Sequence, residues 1–275
     1  MNASQNRSRA LKITSFSGEC VLYWMVRDKR VNDNWALIEA QNIAIRYKVS
    51  LIVCFHFYGS HRQTNIRQYH FLLEGLKETE QRLDKLQIHF SLLIGRSHVE
   101  LPKFIEKYRV GHMVTDFSPL KVYKNRLRKV LSRISIPVTQ VDTHNIIPAW
   151  EVTDKKEFSA YTMRPKIKKR LPEFLTEIPK IQKHPIVAKF KKKEIEWEKI
   201  INSLNINFEV KMVGWIESGE KEGMKLLNQL KTTLKGYNAG RNNPTINKLS
   251  NISPYFHYGH ISPQRVALEI SNSGL

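Results

Sequence analysis

The chain has 275 residues, with 45 Lys and Arg against 25 Asp and Glu, a formal net charge of +20 and a pI near 9.9. It is long enough to bury a real core as two modest domains, and its cation excess points to a polyanionic partner, nucleic acid above all. No apolar run exceeds strand length and none follows the basic start MNASQNRSRALK, which excludes a secretory signal and a membrane span, while Cys20 and Cys54 alone do not make a disulfide scaffold; a cytoplasmic location is expected.

Residues 1–18 read as a flexible amino terminus. Strand-like runs follow at Cys20–Val26, Ser50–Phe57, Ile88–Ile94, His112–Thr115 and Ile136–Val141. Between them, Asn34–Tyr47, Ile66–Leu86, Val99–Tyr108 and Leu120–Ser132 have helical periodicity. The alternation predicts an α/β fold over 19–148, a Rossmann-like parallel sheet with helices on both faces. Neither G-x-G-x-x-G nor G-x-x-x-x-G-K-[ST] follows a strand, which disfavours NAD and an ATP-cradling loop.

Ligands of such sheets bind beyond the carboxyl ends of the strands. Arg27 and Asp28, Asp116 and Ser118, and Asp142, His144 and Asn145 gather there. These types could form a Ser/His/Asp site, but no nucleophile elbow is present, and caps on loops are the favoured reading. The ten His residues show no metal-ligand spacing; Gly259 interrupts any helix between His257 and His260. Trp24 and Trp35 are expected to pack the sheet and its first helix, and Trp150 marks the domain exit.

Residues 149–216 form a Lys-rich connector. MRPKIKKRLP (163–172) crowds five cations together, and KIQKHPIVAKFKKK (180–193) has no acid; a solvated tether is favoured over a phosphate-contacting surface. Helices are predicted at Glu194–Leu204 and Glu217–Leu234, the second opening an all-α region over 217–275 with Gly236 near its carboxyl cap. In LSNISPYFHYGHISPQR (249–265), Ser253-Pro254 and Ser262-Pro263 each predict a helix start, Ser capping and Pro first in the helix. Open N–H groups there, with Ser250 and Asn251 beside them, would hold a phosphate or pyrophosphate; two ordinary capped helices are the plainer alternative.

That last segment resembles the flavin-domain signature of the DNA photolyase/cryptochrome superfamily, most closely its class II cyclobutane pyrimidine dimer photolyases. VLYWMVRDKRVNDNWAL, IRQYHFLLEGL, VTDFSPL, VDTHNIIPAWE, YTMRPKI and LPEFL resemble the same class in the same order, so the resemblance spans residues 19–270 and is weakest over 180–235. It implies light-dependent repair of pyrimidine dimers in DNA by electron transfer from reduced FAD, with an antenna pigment of the folate or deazaflavin type in the amino-terminal domain. Matched to the signature, Tyr237 in GYNAGRNNP and then Leu249, Ser250, Asn251, Ile252 and Ser253 lie along the FAD phosphates and ribityl chain, with Arg241 nearby. The helical domain of that family continues well beyond this signature. The chain is therefore expected to be truncated within the FAD domain, its catalytic residues in the missing carboxyl-terminal part, with a separately encoded half as a partner and no repair by the isolated chain. A non-catalytic Rossmann-like remnant that binds a chromophore or nucleotide, and a cryptochrome-like photoreceptor, are the alternatives.

Overall fold

The structure, a computed structural model, describes residues 5–59 and 64–273. Strands β1 (Ser8–Lys12), β2 (Cys20–Met25), β3 (Ser50–Phe57), β4 (His89–Ile94), β5 (Val110–Asp116) and β6 (Val138–Val141) form one sheet in the order β1-β6-β5-β2-β3-β4. All neighbours run parallel except β1 and β6. Four helices, α1 (Trp35–Arg46), α2 (Ile66–Lys85), α3 (Ser97–Lys107) and α4 (Lys121–Leu131), alternate with the strands as their periodicity predicts.

Every residue of β2 and β3 is buried, as a sheet covered on both faces requires. Val21, Tyr23 and Met25 share one core with Leu37 and Ala40 of α1 and Leu73 and Leu76 of α2. Cys20, Leu22 and Trp24 point the other way, into a second core with Leu101 and Phe104 of α3 and Val130 of α4. Helix starts follow the sequence closely: Asn34 caps α1 by accepting from Leu37 N–H, and Asn65 with Gln68 forms a capping box on α2.

The amino terminus differs from expectation. Residues 1–4 lie outside the described residues, but Ser8–Lys12, read as part of a flexible tail, is the antiparallel edge strand β1. Its run SRALK has too many cations to read as a strand, because the partners of those cations are distant in sequence. Arg9 donates to Gln140 Oε1 (2.7 Å), and Lys12 to the carbonyls of Leu131 and Ile134. Arg7, just ahead, is buried and donates to the carbonyl of Asn145 (2.9 Å) and to Gln264 Oε1 (2.9 Å).

The connector is more ordered than a tether. A short turn, α5 (Ala149–Val152), leads to α6 (Ala160–Phe174), which includes Pro165 and Pro172. Both prolines are exposed, on the solvent side of the helix. The acid-free run beyond is pinned to the bottom of the sheet. His184 is buried, its N–H donating to the Leu86 carbonyl (2.8 Å), and Gln182 and Gln41 exchange bonds of 3.1 and 2.7 Å. After α7 (Trp197–Asn202) the chain enters α8 (Glu220–Thr233), α9 (Tyr237–Gly240), α10 (Ser253–Tyr258) and α11 (Pro263–Asn272). Leu227, Leu230, Ile252, Tyr255, Ile261 and Val266 of this helical region pack around Phe71 of α2.

The two Ser-Pro steps behave differently. Ser262 caps α11, accepting from Arg265 N–H, with Pro263 first in the helix. Ser253 is instead the first residue of α10, and Ile252 holds the cap position with no side-chain bond. Ile252 is buried in the helical core, so packing rather than a hydroxyl fixes this start.

The loop Arg27–Asn34 joins the sheet to the helical region. Arg30, almost wholly buried, donates to Asp28 Oδ1, to the Gly259 carbonyl (3.1 Å) and to the Thr143 carbonyl (3.3 Å). Glu220 at the start of α8 accepts from Val31 N–H (2.8 Å), and Arg265 meets Asp33 at 2.9 and 3.1 Å. Gly259, at φ +72°, comes so close that a Cβ there would lie 2.2 Å from the Arg27 carbonyl oxygen. Gly75 of α2 likewise admits His260, whose Nε2 would be 2.2 Å from an added Cβ.

Two outcomes are expected. Replacing Arg30 with Met strands the Asp28 carboxylate and costs about 3–5 kcal/mol, measured by urea denaturation; Gly259→Ala costs at least about 2 kcal/mol from overpacking and left-handed strain. Stability also falls on acidification. Burial pushes His260 down to about 3, and His56, His89 and His112 to about 4. The unfolded chain binds these protons near pH 6.5 and the folded chain does not, so stability is full above pH 6.5 and declines towards pH 4. His260→Asn, which keeps an acceptor for the Gly219 N–H, reduces that slope; an unchanged slope contradicts the assignment.

Candidate functional site

At the carboxyl edge of the sheet the acidic side chains serve the backbone. Asp116, at the end of β5, accepts from the N–H groups of Val26 (2.9 Å), Arg27 (2.7 Å) and Asp28 (3.1 Å) through one oxygen and from the Tyr23 hydroxyl through the other. Asp142 accepts from Asn145 N–H (3.1 Å) and Ala149 N–H (2.9 Å). Burial opposes ionisation of Asp28, yet Arg30, together with the His144 Nδ1 contact at 3.1 Å, holds it well below the usual carboxylate range. Burial and the nearby Asp28 instead raise Asp116 to about 6, against the lowering effect of Tyr23 and the N–H groups of Val26 and Arg27. Asp116 and Asp142 cap loops, and Asp28 is held ionised by Arg30 with its Oδ2 buried and unpartnered among the described residues, so none is placed against a nucleophile.

Beside them lies a cavity of about 670 Å³, between the carboxyl ends of β2 and β3, the start of α4, and α10. This is where the strand order reverses: β2 leads to β3 on one side and borders β5 on the other. Trp24, Phe55, Tyr69, Tyr123, Phe256 and Tyr258 give it aromatic walls, and Arg27, Lys29 and Arg126 bring positive charge. Among the described residues no Asp or Glu lines it. Arg126 sits 3.8 Å above the Tyr58 ring, and the Tyr58 hydroxyl is fixed by donating to Ser97 Oγ (2.6 Å). His56, on the wall, is 5% exposed, and neither ring nitrogen has a partner among the described residues. Burial first, and then Arg126, keep it neutral at physiological pH. Lys29 bridges the seam by donating to the carbonyls of Arg27 (3.1 Å) and Tyr258 (3.2 Å), and burial lowers its pKa to about 8.

Buried unpaired imidazole nitrogens beside aromatic faces and uncompensated cations suit a flat ligand that carries acceptor atoms and negative charge. Arg27, Ser118 and His144 were legible as residues of this edge; His56, Tyr58 and Arg126 were not. His56 reads as one more alternating position of a buried strand, and Arg126 as one more cation of a basic helix.

The segment singled out for phosphates adjoins the same α10. Leu249, Asn251 and Ser253 are exposed, Ser250 is half-buried and Ile252 is buried. The side chains of Ser250, Asn251 and Ser253 make no hydrogen bond among the described residues, and Asn251 takes a left-handed φ of +52°. Tyr237 opens α9, its ring 5.7 Å from the Arg241 guanidinium. Gly240 of α9 lies against the side chains of Lys248 and Ile246, so the Tyr237 turn folds back onto the strand of chain that leads to Leu249.

Comparison with known proteins gives this geometry a lineage. A family model for DNA photolyase matches residues 21–184. The chain is 39% identical over 255 residues to a deoxyribodipyrimidine photo-lyase of Potorous tridactylus, covering 92% of this chain and 48% of that protein. It is 38% identical over 260 residues to one of Arabidopsis thaliana, covering 90% and 52% respectively. The chain thus spans about half the length of the curated relatives it matches. Among solved structures, a cryptochrome of Synechocystis superposes with a TM-score of 0.74 at 16% identity, covering 92% of this chain and 55% of that one. A class III photolyase of Agrobacterium tumefaciens gives 0.68 at 20%, covering 93% and 54%. The two structures share the fold, and the family match over most of the sheet and connector decides the lineage: the chain belongs to the DNA photolyase family.

Proposed function

We propose that the chain serves light-driven repair of cyclobutane pyrimidine dimers in DNA, with FAD along Tyr237 and residues 249–253 and an antenna pigment in the cavity beside α10. The relatives named deoxyribodipyrimidine photo-lyase support the reaction, and their greater length makes a carboxyl-terminal helical half, separately encoded or otherwise supplied, the partner this reading calls for. Two buried, unpaired thiols on neighbouring strands are compatible with the cytoplasmic location expected.

The residues present fit the phosphate end of FAD. Ser250 and Ser253 offer hydroxyl donors, Asn251 an amide, and Tyr237 a phenol, none of them hydrogen-bonded through its side chain among the described residues. Ile252 anchors the segment in the helical core, so these donors are presented from a fixed backbone. When bound and reduced, FAD supplies the electron that light drives into the dimer. The cavity carries the antenna part of the reading. Its unpartnered His56 and unopposed Arg126 favour a flat anionic pigment of the folate or deazaflavin type.

Three measurements test this. Purified chain is titrated separately with a folate and a deazaflavin, followed by pigment fluorescence. Saturable binding, weakened at least about tenfold (1.4 kcal/mol) by Arg126→Ala, supports the cavity assignment, and binding unaffected by Arg126→Ala and His56→Phe removes it. Flavin content is read by visible absorption after gel filtration with added FAD. Asn251→Ala with Ser253→Ala is expected to lower it, and an unchanged content displaces the phosphate site. Light-dependent loss of dimers from an irradiated duplex supports the repair reading. Flavin-loaded chain that leaves dimers intact, alone and with the carboxyl-terminal half of a relative added, overturns it.

A further inference from the structure

The excess positive charge is not spread evenly. From Phe117 to Val141 the chain carries six cations, Lys121, Lys124, Arg126, Arg128, Lys129 and Arg133, and no acid. Five of them lie on α4, whose 11 residues extend about 16 Å along the helix axis. The helix rests on the sheet through Val130 and Leu127, leaving Lys121, Lys124, Arg128 and Lys129 on its exposed side.

Nothing neutralises this row. Among the described residues none of the six makes an ion pair. Their positions are nonetheless defined. Arg126 is held against the Tyr58 and Tyr123 rings, and Arg133 donates to the His98 carbonyl (2.9 Å). Lys12 of β1 closes the far end by donating to the carbonyls of Leu131 and Ile134. His98, at the start of α3, registers the convergence: desolvation and then the charges of Arg133, Lys129 and Arg96 depress its pKa. The other basic helix is partly neutralised. On α6, Lys166 pairs with Glu157 and Arg170 with Glu151 and Glu173, leaving Arg164, Lys168 and Lys169 without an ion pair among the described residues.

We propose that the outer face of α4, continued by Arg133 and Lys12, binds the phosphate backbone of undamaged duplex DNA without sequence preference, as a contact separate from lesion recognition. A duplex presents one negative charge about every 1.7 Å of its axis, the kind of extended polyanion an unpaired row of cations fits. The apolar side of α4 is already spent on the sheet, so it cannot enter a membrane interface. Its exposed side offers Leu120 and Val122 but no exposed aromatic to anchor a protein partner. The proposal goes beyond the repair reading and requires neither flavin nor pigment.

The test uses the full chain and a short undamaged duplex, with binding followed by fluorescence anisotropy between about 50 and 200 mM salt. The variant Lys124→Ala/Arg128→Ala/Lys129→Ala removes three charges from exposed positions, where Ala favours the helix, and far-ultraviolet circular dichroism checks that α4 remains folded. The slope of log K against log salt is expected to fall by about 0.9 per lost contact, close to 2.7 in all. The control Lys168→Ala/Lys169→Ala/Lys235→Ala removes the same charge elsewhere and is expected to change the slope by less than about 1. Equal losses in the two variants, an unchanged slope in the first, or no duplex binding by the parent chain overturn the proposal. Retained DNA affinity with loss of polyglutamate binding also overturns it, and assigns the face to an acidic protein.

Discussion

One buried ion pair sets the terms for the rest of the molecule. Arg30 and Asp28 lie in a loop that leaves the central strand of the sheet, and both are almost wholly withdrawn from water. A charge pair in such a place is stabilised by the further hydrogen bonds its members make. Arg30 reaches the Gly259 and Thr143 carbonyls, and Asp28 Oδ1 also meets His144, while Asp28 Oδ2 is buried without a partner among the described residues. The sheet edge, the loop after β6 and the turn between α10 and α11 are thereby brought to one point. Both Gly259 and Gly75 lack a side chain where the approach is closest. The packing of the helical region on Phe71 of α2 is a consequence of that docking as much as a cause of it.

The same arrangement fixes the electrostatics of the cavity. Asp116 and Asp142 are consumed by backbone N–H groups at the ends of their strands, so the carboxylates nearest the cavity face away from it. Among the described residues its walls are apolar, neutral polar or cationic, with no carboxylate. This division follows from a general constraint: the loops beyond parallel strands hold backbone donors that must be paired if buried, and carboxylates pair several at once. The wall opposite the sheet is α10, whose amino-terminal end continues the exposed polar segment 249–253. A six-residue helix therefore stands between the two sites assigned here.

Cation placement follows a similar logic of partners. On α6 the acids that neutralise Lys166 and Arg170 lie within a few turns of chain, and the helix gains local support from them. On α4 no cation makes an ion pair among the described residues; Arg126 is steadied by a ring, and Arg133 just beyond the helix by a carbonyl. Two helices of similar composition thus present different fields to solvent, which a net charge of +20 alone does not distinguish.

How much of this was legible depends on the range of the interaction concerned. Apolar alternation and local caps define β2, β3, α1 and α2 almost to the residue, because the groups that decide them are a few positions apart. Seven motif strings carried the lineage, and the family match over residues 21–184 takes in six of them, all but the one at 249–265. Reading Ser253 as a cap failed because buried Ile252, packed among residues from three other helices, fixes that start. Ser8–Lys12 read as a tail because Gln140, Leu131 and Ile134, which receive its cations, lie more than a hundred residues away. His56 and Arg126 looked like an ordinary strand residue and an ordinary surface cation until the fold set them on one cavity. The sequence by itself determined the strands β2–β6, the helices α1–α4 and the family they belong to, since these rest on local periodicity and on the wording of short motifs. Only the tertiary structure decided which charges are buried, paired or free, because that depends on partners brought together from distant parts of the chain.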